Sequence, residues 1–185
     1  MSVIEPETAG ETGYGGIAKA LHWLIAFLLV AQFTVAWTMP DIHRGVEPVG
    51  LIGLHFSFGV VILALACLRL IWRLFHAVPL LAEGVPAWQN GVAWATHALL
   101  YLLLLVLPLM GWGNASSRGL TVNLFGFWAL PPLLPAGSAF GRELGGFHVW
   151  TAYALLGLIG LHVAAALYHH FWLRDRVLLR MSPLG

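Results

Sequence analysis

The chain has 185 residues, of which 59% are hydrophobic and only 9% carry a formal charge. Soluble domains average about 25% charged residues, so this composition excludes an ordinary water-soluble domain. A net charge of +1 without a basic run argues against nucleic-acid binding. The single cysteine, Cys67, excludes an intrachain disulfide and a cysteine-ligated iron–sulfur or zinc site.

Four apolar stretches are each long enough to cross a hydrocarbon core of about 30 Å as a helix. They are continuously apolar, whereas the strands of a membrane barrel alternate in polarity. The sequence therefore predicts an all-α, integral membrane four-helix bundle with spans at about 16–38, 49–73, 89–112 and 144–172. An acidic tail (1–15) precedes the four-span domain (16–175), and a C-terminal tail (176–185) follows it.

The connections between the spans differ in character. The inner loop contains Pro79 and Pro86, which are expected to stop the helices on either side. The second outer connection, 113–145, is the longest and is itself apolar. A soluble loop has a different composition, so this segment is predicted to fold back as a lid on the outer membrane surface and to carry a short helix.

The lysines and arginines predict the orientation of the bundle. Six lie on the side of the termini and three on the other: Lys19, Arg69, Arg73, Arg174, Arg176 and Arg180 against Arg44, Arg118 and Arg142. Positive residues are retained on the cytoplasmic side of a membrane. We therefore expect a multi-pass protein of the bacterial inner membrane with both termini in the cytoplasm.

Histidines inside the spans are the main functional signal, because an unpaired ionisable residue is costly in hydrocarbon. There are six of them: His22, His55, His97, His148, His162 and His169. A lone histidine is more often a hydrogen-bonded packing residue than a ligand. His148 and His162, however, share one face of the fourth span and lie about 21 Å apart along its axis. This spacing predicts two planar cofactors, and haem b needs only imidazole ligands and apolar surroundings.

Each haem needs a second histidine at the matching depth. His55 lies at the level of His148, so these two are expected to bind the outer haem iron. At the level of His162 both His22 and His97 are available, and depth alone does not choose between them.

Other residues near these histidines are candidates for contact with the cofactor. Gly59 and Gly157 are predicted to make room for a macrocycle edge, although small-residue helix packing explains them equally well. Arg69 and Arg73 are predicted to pair with the propionates of the inner haem or to mark the cytoplasmic interface. Of these two, Arg69 lies deeper in the span and is the better propionate partner.

The chain resembles the bacterial cytochrome b561 family of four-helix dihaem membrane proteins, and the match covers nearly everything after the acidic tail. The matching segments are Leu21-His22-Trp23, Gly53-Leu54-His55, Leu68-Arg69-Leu70-Ile71-Trp72-Arg73-Leu74, His97-Ala98-Leu99-Leu100-Tyr101, Leu107-Pro108-Leu109-Met110-Gly111, Gly126-Phe127 through Pro131, Phe147-His148 and the stretch from Gly160 to Phe171. The resemblance implies that His22 pairs with His162 on the inner iron and His55 with His148 on the outer iron. It implies that His97 is a non-ligand near a propionate or a quinone.

The resemblance also implies a superoxide oxidase, in which periplasmic superoxide donates electrons and ubiquinone accepts them. The expected cofactors are two haem b groups, with His169 and Trp23 in the quinone pocket. Electron transfer of this kind is outer-sphere, so no catalytic acid or base is expected at the haems. The expected partners are membrane lipid, quinone, and superoxide or another periplasmic redox donor, with a homodimer as one candidate assembly.

Two alternatives stay open from the sequence. Family relatives also serve as haem b subunits that pass electrons from a hydrogenase or dehydrogenase partner to quinone, and fold does not fix the donor. A non-redox membrane scaffold or transporter with structural histidines is the third interpretation. It leaves the paired depths of the histidines unexplained.

Overall fold

The computed structural model describes residues 13–43, 45–76 and 87–182. The acidic tail up to residue 12, Arg44, and the two loop prolines Pro79 and Pro86 lie outside these ranges. The elements in chain order are α1 (Gly16–Thr38), α2 (Gly50–Phe75), α3 (Ala87–Ser117), β1 (Asn123–Leu124), β2 (Trp128–Ala129), α4 (Ala139–Tyr168), a π-helical turn (His169–Leu173) and α5 (Val177–Met181).

Within the described ranges, four helices are long and apolar enough to cross a membrane: α1, α2, α3, and α4 together with the π-helical turn. Large apolar side chains cover their outer faces. Phe27 is 70% exposed and Trp150 is 75% exposed, which suits contact with lipid and not with water. The predicted all-α membrane bundle is confirmed.

A small apolar core holds the four helices together near mid-height. It consists of side chains from every spanning helix: Ile25, Ile62, Ala66, Leu104 and Leu155. Leu155 lies seven residues from each of the α4 histidines His148 and His162, so this layer separates the two ends of the bundle. Consecutive helices form the close packing, α1 with α2, α2 with α3 and α3 with α4.

The helices α3 and α4 extend further than the apolar pattern predicts. α3 ends at Ser117 instead of near residue 112, and α4 begins at Ala139 instead of near 144. The reason is a set of polar contacts outside the apolar stretches. Asn114 donates from Nδ2 to the Gly141 carbonyl at 2.9 Å, and Ser138 caps α4 by accepting from the Gly141 N–H at 3.2 Å.

The connection between α3 and α4 contains a hairpin where a short helix was predicted. β1 and β2 pair antiparallel, with Leu124 opposite Trp128. The turn between them places Phe125 at φ 49° and Gly126 at φ 79°, the left-handed values that tight hairpin turns require. Ser57 of α2 fixes this turn, because its Oγ accepts the Phe125 N–H at 2.8 Å.

The C-terminal tail contains the short helix α5, which docks on the start of α1. The Tyr14 N–H donates to the Arg180 carbonyl at 3.2 Å, and the Trp23 indole N–H donates to the Met181 carbonyl at 2.9 Å. The beginning of α1 and the end of α5 therefore lie at the same end of the bundle.

Candidate haem-binding site

The first histidine pair lies at the end of the bundle that carries the hairpin. His55 of α2 and His148 of α4 face each other with ring centroids 6.1 Å apart and ring planes at 76°. The structure therefore brings together the two residues that were matched by depth alone.

Helix α3 fixes the orientation of the His148 ring. The Nδ1 atom of His148 lies 3.0 Å from the carbonyl oxygen of Leu107, so Nδ1 carries the hydrogen and Nε2 is the nitrogen left for a metal. Gly111, one turn further along α3, makes this approach possible. A Cβ atom at that position would lie 3.0 Å from Cε1 and 3.1 Å from Nδ1 of the His148 ring.

A glutamine of α1 supports His55 from the other side. Gln32 donates from Nε2 to the His55 carbonyl at 3.1 Å. Among the described residues, the buried Nδ1 of His55 and the buried Oε1 of Gln32 have no hydrogen-bond partner. Buried polar atoms are nearly always paired in native proteins, so these orphaned atoms indicate a site shaped for an additional group.

A cavity of about 380 Å³ opens between these side chains. Both ring residues line it, together with Gln32, Gly59 and Gly111. A Cβ atom on Gly59 would lie 3.7 Å from Gln32 Nε2, an ordinary contact distance, so the glycine adds space to the cavity without being required by a clash.

Three histidines meet at the opposite end of the bundle. The ring centroids of His22 and His162 are 6.3 Å apart, and those of His97 and His162 are 5.3 Å apart. Two imidazoles that bind one iron from opposite faces would have centroids about 6.2 Å apart, because each metal–nitrogen bond is about 2 Å and each centroid lies about 1.1 Å beyond the nitrogen. The centroids of His22 and His162 are 6.3 Å apart and those of His55 and His148 are 6.1 Å apart, so both pairs are close to this value.

Two arginines of α2 lie beside the three histidines. Arg69 donates from Nε to the Tyr101 hydroxyl at 3.1 Å and from Nη1 to the Ala18 carbonyl at 2.7 Å. The guanidinium of Arg73 lies over the Tyr101 ring, 5.8 Å from its centroid. Both arginines line a second cavity of about 220 Å³. Two N–H donors of Arg69 are already engaged by the protein. Arg73 therefore has more donors left than Arg69 to bind a carboxylate, although its position near the interface had made it the weaker candidate.

The glycines of α4 border open space. A Cβ atom on Gly157 or Gly160 would meet nothing within 4 Å. This open space on α4 leaves room for a macrocycle edge.

The remaining predicted site residues, His169 and Trp23, lie at the same end of the bundle as these three histidines. His169 begins the π-helical turn after α4, and its Nδ1 is 2.5 Å from the Asp175 carboxylate. The Trp23 ring packs edge-on against His22 with centroids 5.4 Å apart. Its N–H is already donated to Met181, so Trp23 offers a ring face and not a hydrogen bond to a ligand.

The donor set fits haem b better than a metal held by side chains alone. Among the described residues, no group of three or more histidine, cysteine, aspartate or glutamate side chains could hold a metal ion. The opposed imidazoles would hold an iron between them, and haem b would supply its remaining ligands. The two histidine pairs fit this group, and so does the cavity between α1, α2, α3 and α4 at the end where His55 and His148 meet.

Sequence reasoning did not single out several residues that shape these sites. Gln32 could have been identified from the sequence, because a polar residue inside an apolar span indicates a functional or buried polar site. Gly111, Tyr101 and Asp175 carry no such signal. Their roles depend on which side chain of another element lies opposite them.

Comparisons with known proteins agree with this geometry. Residues 13–183 match the family model of prokaryotic cytochrome b561. The chain is 31% identical over 174 residues to "Probable superoxide oxidase CybB" of Yersinia pestis, covering 92% of this chain and 96% of that protein. It is 29% identical over 175 residues to "Cytochrome b561 homolog 2" of Escherichia coli (91% and 90% covered), and 32% identical over 180 residues to "Cytochrome b562" of Cereibacter sphaeroides (92% and 96% covered). The chain therefore belongs to the prokaryotic cytochrome b561 family, the haem b-binding oxidoreductases that carry electrons in bacterial membranes.

Proposed function

We propose that this protein binds two haem b groups and transfers electrons between a periplasmic one-electron donor and membrane ubiquinone. The observation that carries the proposal is the pair of histidine contacts at opposite ends of the bundle, His55 with His148 and His22 with His162. Their centroid separations of 6.1 and 6.3 Å suit one iron each. The apolar layer around Leu155 lies between the two sites.

His55 and His148 are the proposed ligands of the outer iron, and His22 and His162 those of the inner iron. Haem b, when bound, supplies the one-electron redox chemistry. The Leu107 carbonyl holds the His148 ring in one tautomer and one orientation. His97 is proposed as a neighbour of the inner haem and not a ligand, because its 5.3 Å separation from His162 is too short to place an iron between the rings.

The other cofactor contacts are assigned to Arg69, Arg73, Gly59 and Gly157. The two guanidinium groups would donate hydrogen bonds to the propionates of the inner haem. Both line a cavity at the end of the bundle where His22, His97 and His162 meet. Gly59 and Gly157 leave room for the macrocycle edges beside the outer and inner ligands.

Ubiquinone is the proposed acceptor, with its headgroup beside His169 and the Trp23 ring. His169 lies two turns beyond His162, in the π-helical turn that follows α4, and its side chain is 18% exposed. Histidine is the side chain best suited to pass protons to a bound quinone. The positive residues at this end support its cytoplasmic position. The docking of α5 on the start of α1 places both ends of the described chain on that same side.

Superoxide is the proposed donor. The name "Probable superoxide oxidase CybB" of a relative with 31% identity suggests it. In the complete reaction two superoxide anions lose one electron each, and ubiquinone takes up two electrons and two protons. The products are two molecules of dioxygen and one ubiquinol.

Stopped-flow reduction of the purified protein by superoxide, with and without ubiquinone, tests the donor. Rapid haem reduction, followed by reoxidation only when quinone is present, supports the proposal. Haem reduction that requires a dehydrogenase partner instead would favour an electron-transfer subunit. A pyridine haemochrome assay that gives one haem or none per chain would contradict the two-haem assignment.

His169→Ala tests the acceptor site separately. This variant should keep both haems and be reduced normally, but it should reoxidise slowly with quinone. Unchanged reoxidation would move the quinone site elsewhere.

A further inference from the structure

We infer that Asp175 is a positioning residue for proton delivery to the quinone, acting through His169. This inference rests on the proposed function, since it takes the quinone to lie beside His169. It adds a residue that neither the histidine pattern nor the family resemblance singles out.

The backbone brings Asp175 back onto His169 through an unusual turn. The α-helical path of α4 ends at Tyr168 and continues as the π-helical turn His169–Leu173. Arg174 then adopts a left-handed conformation with φ 53°, a rare one for a residue with a side chain. The Asp175 N–H donates to the His169 carbonyl at 3.2 Å and closes the turn. Single π-helical turns of this kind occur frequently at functional sites.

The Asp175 carboxylate is held by both oxygens. One oxygen, Oδ2, lies 2.5 Å from His169 Nδ1, and the other, Oδ1, accepts the Val177 N–H at 3.0 Å at the start of α5. A carboxylate only accepts hydrogen bonds, so Nδ1 of His169 carries a hydrogen and points at Asp175. The Nε2 atom is then the nitrogen that can take up and give a proton.

The charge distribution makes this carboxylate distinctive. Four acidic residues fall within the described ranges, and three of them, Asp41, Glu47 and Glu143, lie at the opposite end of the bundle. Asp175 is the remaining one. Its side chain is 23% exposed and that of His169 is 18% exposed, so the pair is partly accessible at its end of the bundle.

In the proposed step, His169 gives its Nε2 proton to a carbonyl oxygen of the quinone. The N–H bond breaks as the new O–H bond forms, and two one-electron donors supply the two electrons. Water returns a proton to Nε2 and supplies the second proton of the quinol. Asp175 keeps Nδ1 protonated throughout and is itself neither protonated nor consumed.

The test measures reoxidation of the anaerobically reduced, full-length holoprotein by ubiquinone-1, with Asp175→Asn as the main variant. The asparagine oxygen can still accept the Val177 N–H, so α5 is expected to keep its start. Asp175→Glu restores a carboxylate. Glu143→Gln is the matched control, since it removes one negative charge from the other end of α4. Haem content and the reduced spectrum verify that each variant is intact.

We expect Asp175→Asn to lower the maximal reoxidation rate about tenfold or more, the scale of a weakened general acid, with an unchanged half-saturating quinone concentration. Asp175→Glu should recover much of the rate, and Glu143→Gln should behave as wild type. If His169→Ala is slow but Asp175→Asn matches the control, the role of Asp175 is refuted and the quinone site stands. If Asp175→Glu is as slow as Asp175→Asn, the carboxylate has only a structural role. If His169→Ala is itself unaffected, the quinone site fails and this inference fails with it.

Discussion

The contact between Gly111 and the His148 ring predicts that Gly111→Ala weakens the binding of the outer haem without unfolding the bundle. The new Cβ atom would lie 3.0 and 3.1 Å from two atoms of the ring. Carbon atoms pack best at about 3.5–4.0 Å, so the ring must retreat by about 0.5 Å. The same movement stretches the 3.0 Å hydrogen bond between His148 Nδ1 and Leu107 to about 3.5 Å, where little of it remains.

The substitution then has two opposing effects. It weakens the binding of the outer haem, and it stabilises helix α3. Losing a hydrogen bond that orients a metal ligand lowers metal affinity about 10–100-fold. That loss corresponds to about 1.4–2.7 kcal/mol of haem binding at the outer site. Replacing a helical glycine by alanine stabilises the helix by up to about 1 kcal/mol. The free energy of unfolding of the apoprotein should therefore change little, while the outer haem binds more weakly.

The measurement is haem content per chain by pyridine haemochrome, together with the rate of haem release to excess apomyoglobin. Gly111→Ala should release one haem faster than wild type and keep the other. Gly91→Ala is the matched control in the same helix, because a Cβ atom at Gly91 meets nothing within 4 Å. Release from Gly111→Ala at the rate of this control would refute the argument that the Leu107 contact holds His148 as a ligand.

Three further predictions follow from the same structure. His22→Ala should lose the inner haem and His97→Ala should keep it, measured by haemochrome assay; loss of a haem in the His97 variant alone would reverse the assignment. Ser57→Ala should lower the free energy of unfolding of the detergent-solubilised protein by about 1–3 kcal/mol, since it leaves the Phe125 N–H without its buried acceptor. The melting temperature measures this loss, and an unchanged value would show that water replaces the hydroxyl. A reporter fused to the C-terminus should be active only in the cytoplasm; periplasmic activity would invert the topology.

The sequence by itself determined the architecture of this protein. Each spanning helix follows from a long apolar stretch, because a membrane leaves an isolated chain segment no other way to satisfy its backbone hydrogen bonds. The contact between His55 and His148 could also be predicted, since His55 is the one span histidine at the depth of His148. Depth is a one-dimensional quantity that residue numbers give directly through the helical rise.

Only the tertiary structure decided which side chains of different helices lie opposite each other. The ring centroid of His162 lies 1.0 Å closer to that of His97 than to that of His22. The spacing of residues along a single helix cannot predict this difference. The ends of α3 and α4 were mispredicted because Asn114 finds its partner on another element. The approach of Asp175 to His169 depends on a π-helical turn and a left-handed Arg174, which local propensity disfavours. Such contacts are set by the packing of several helices at once, whereas the sequence pattern describes one helix at a time.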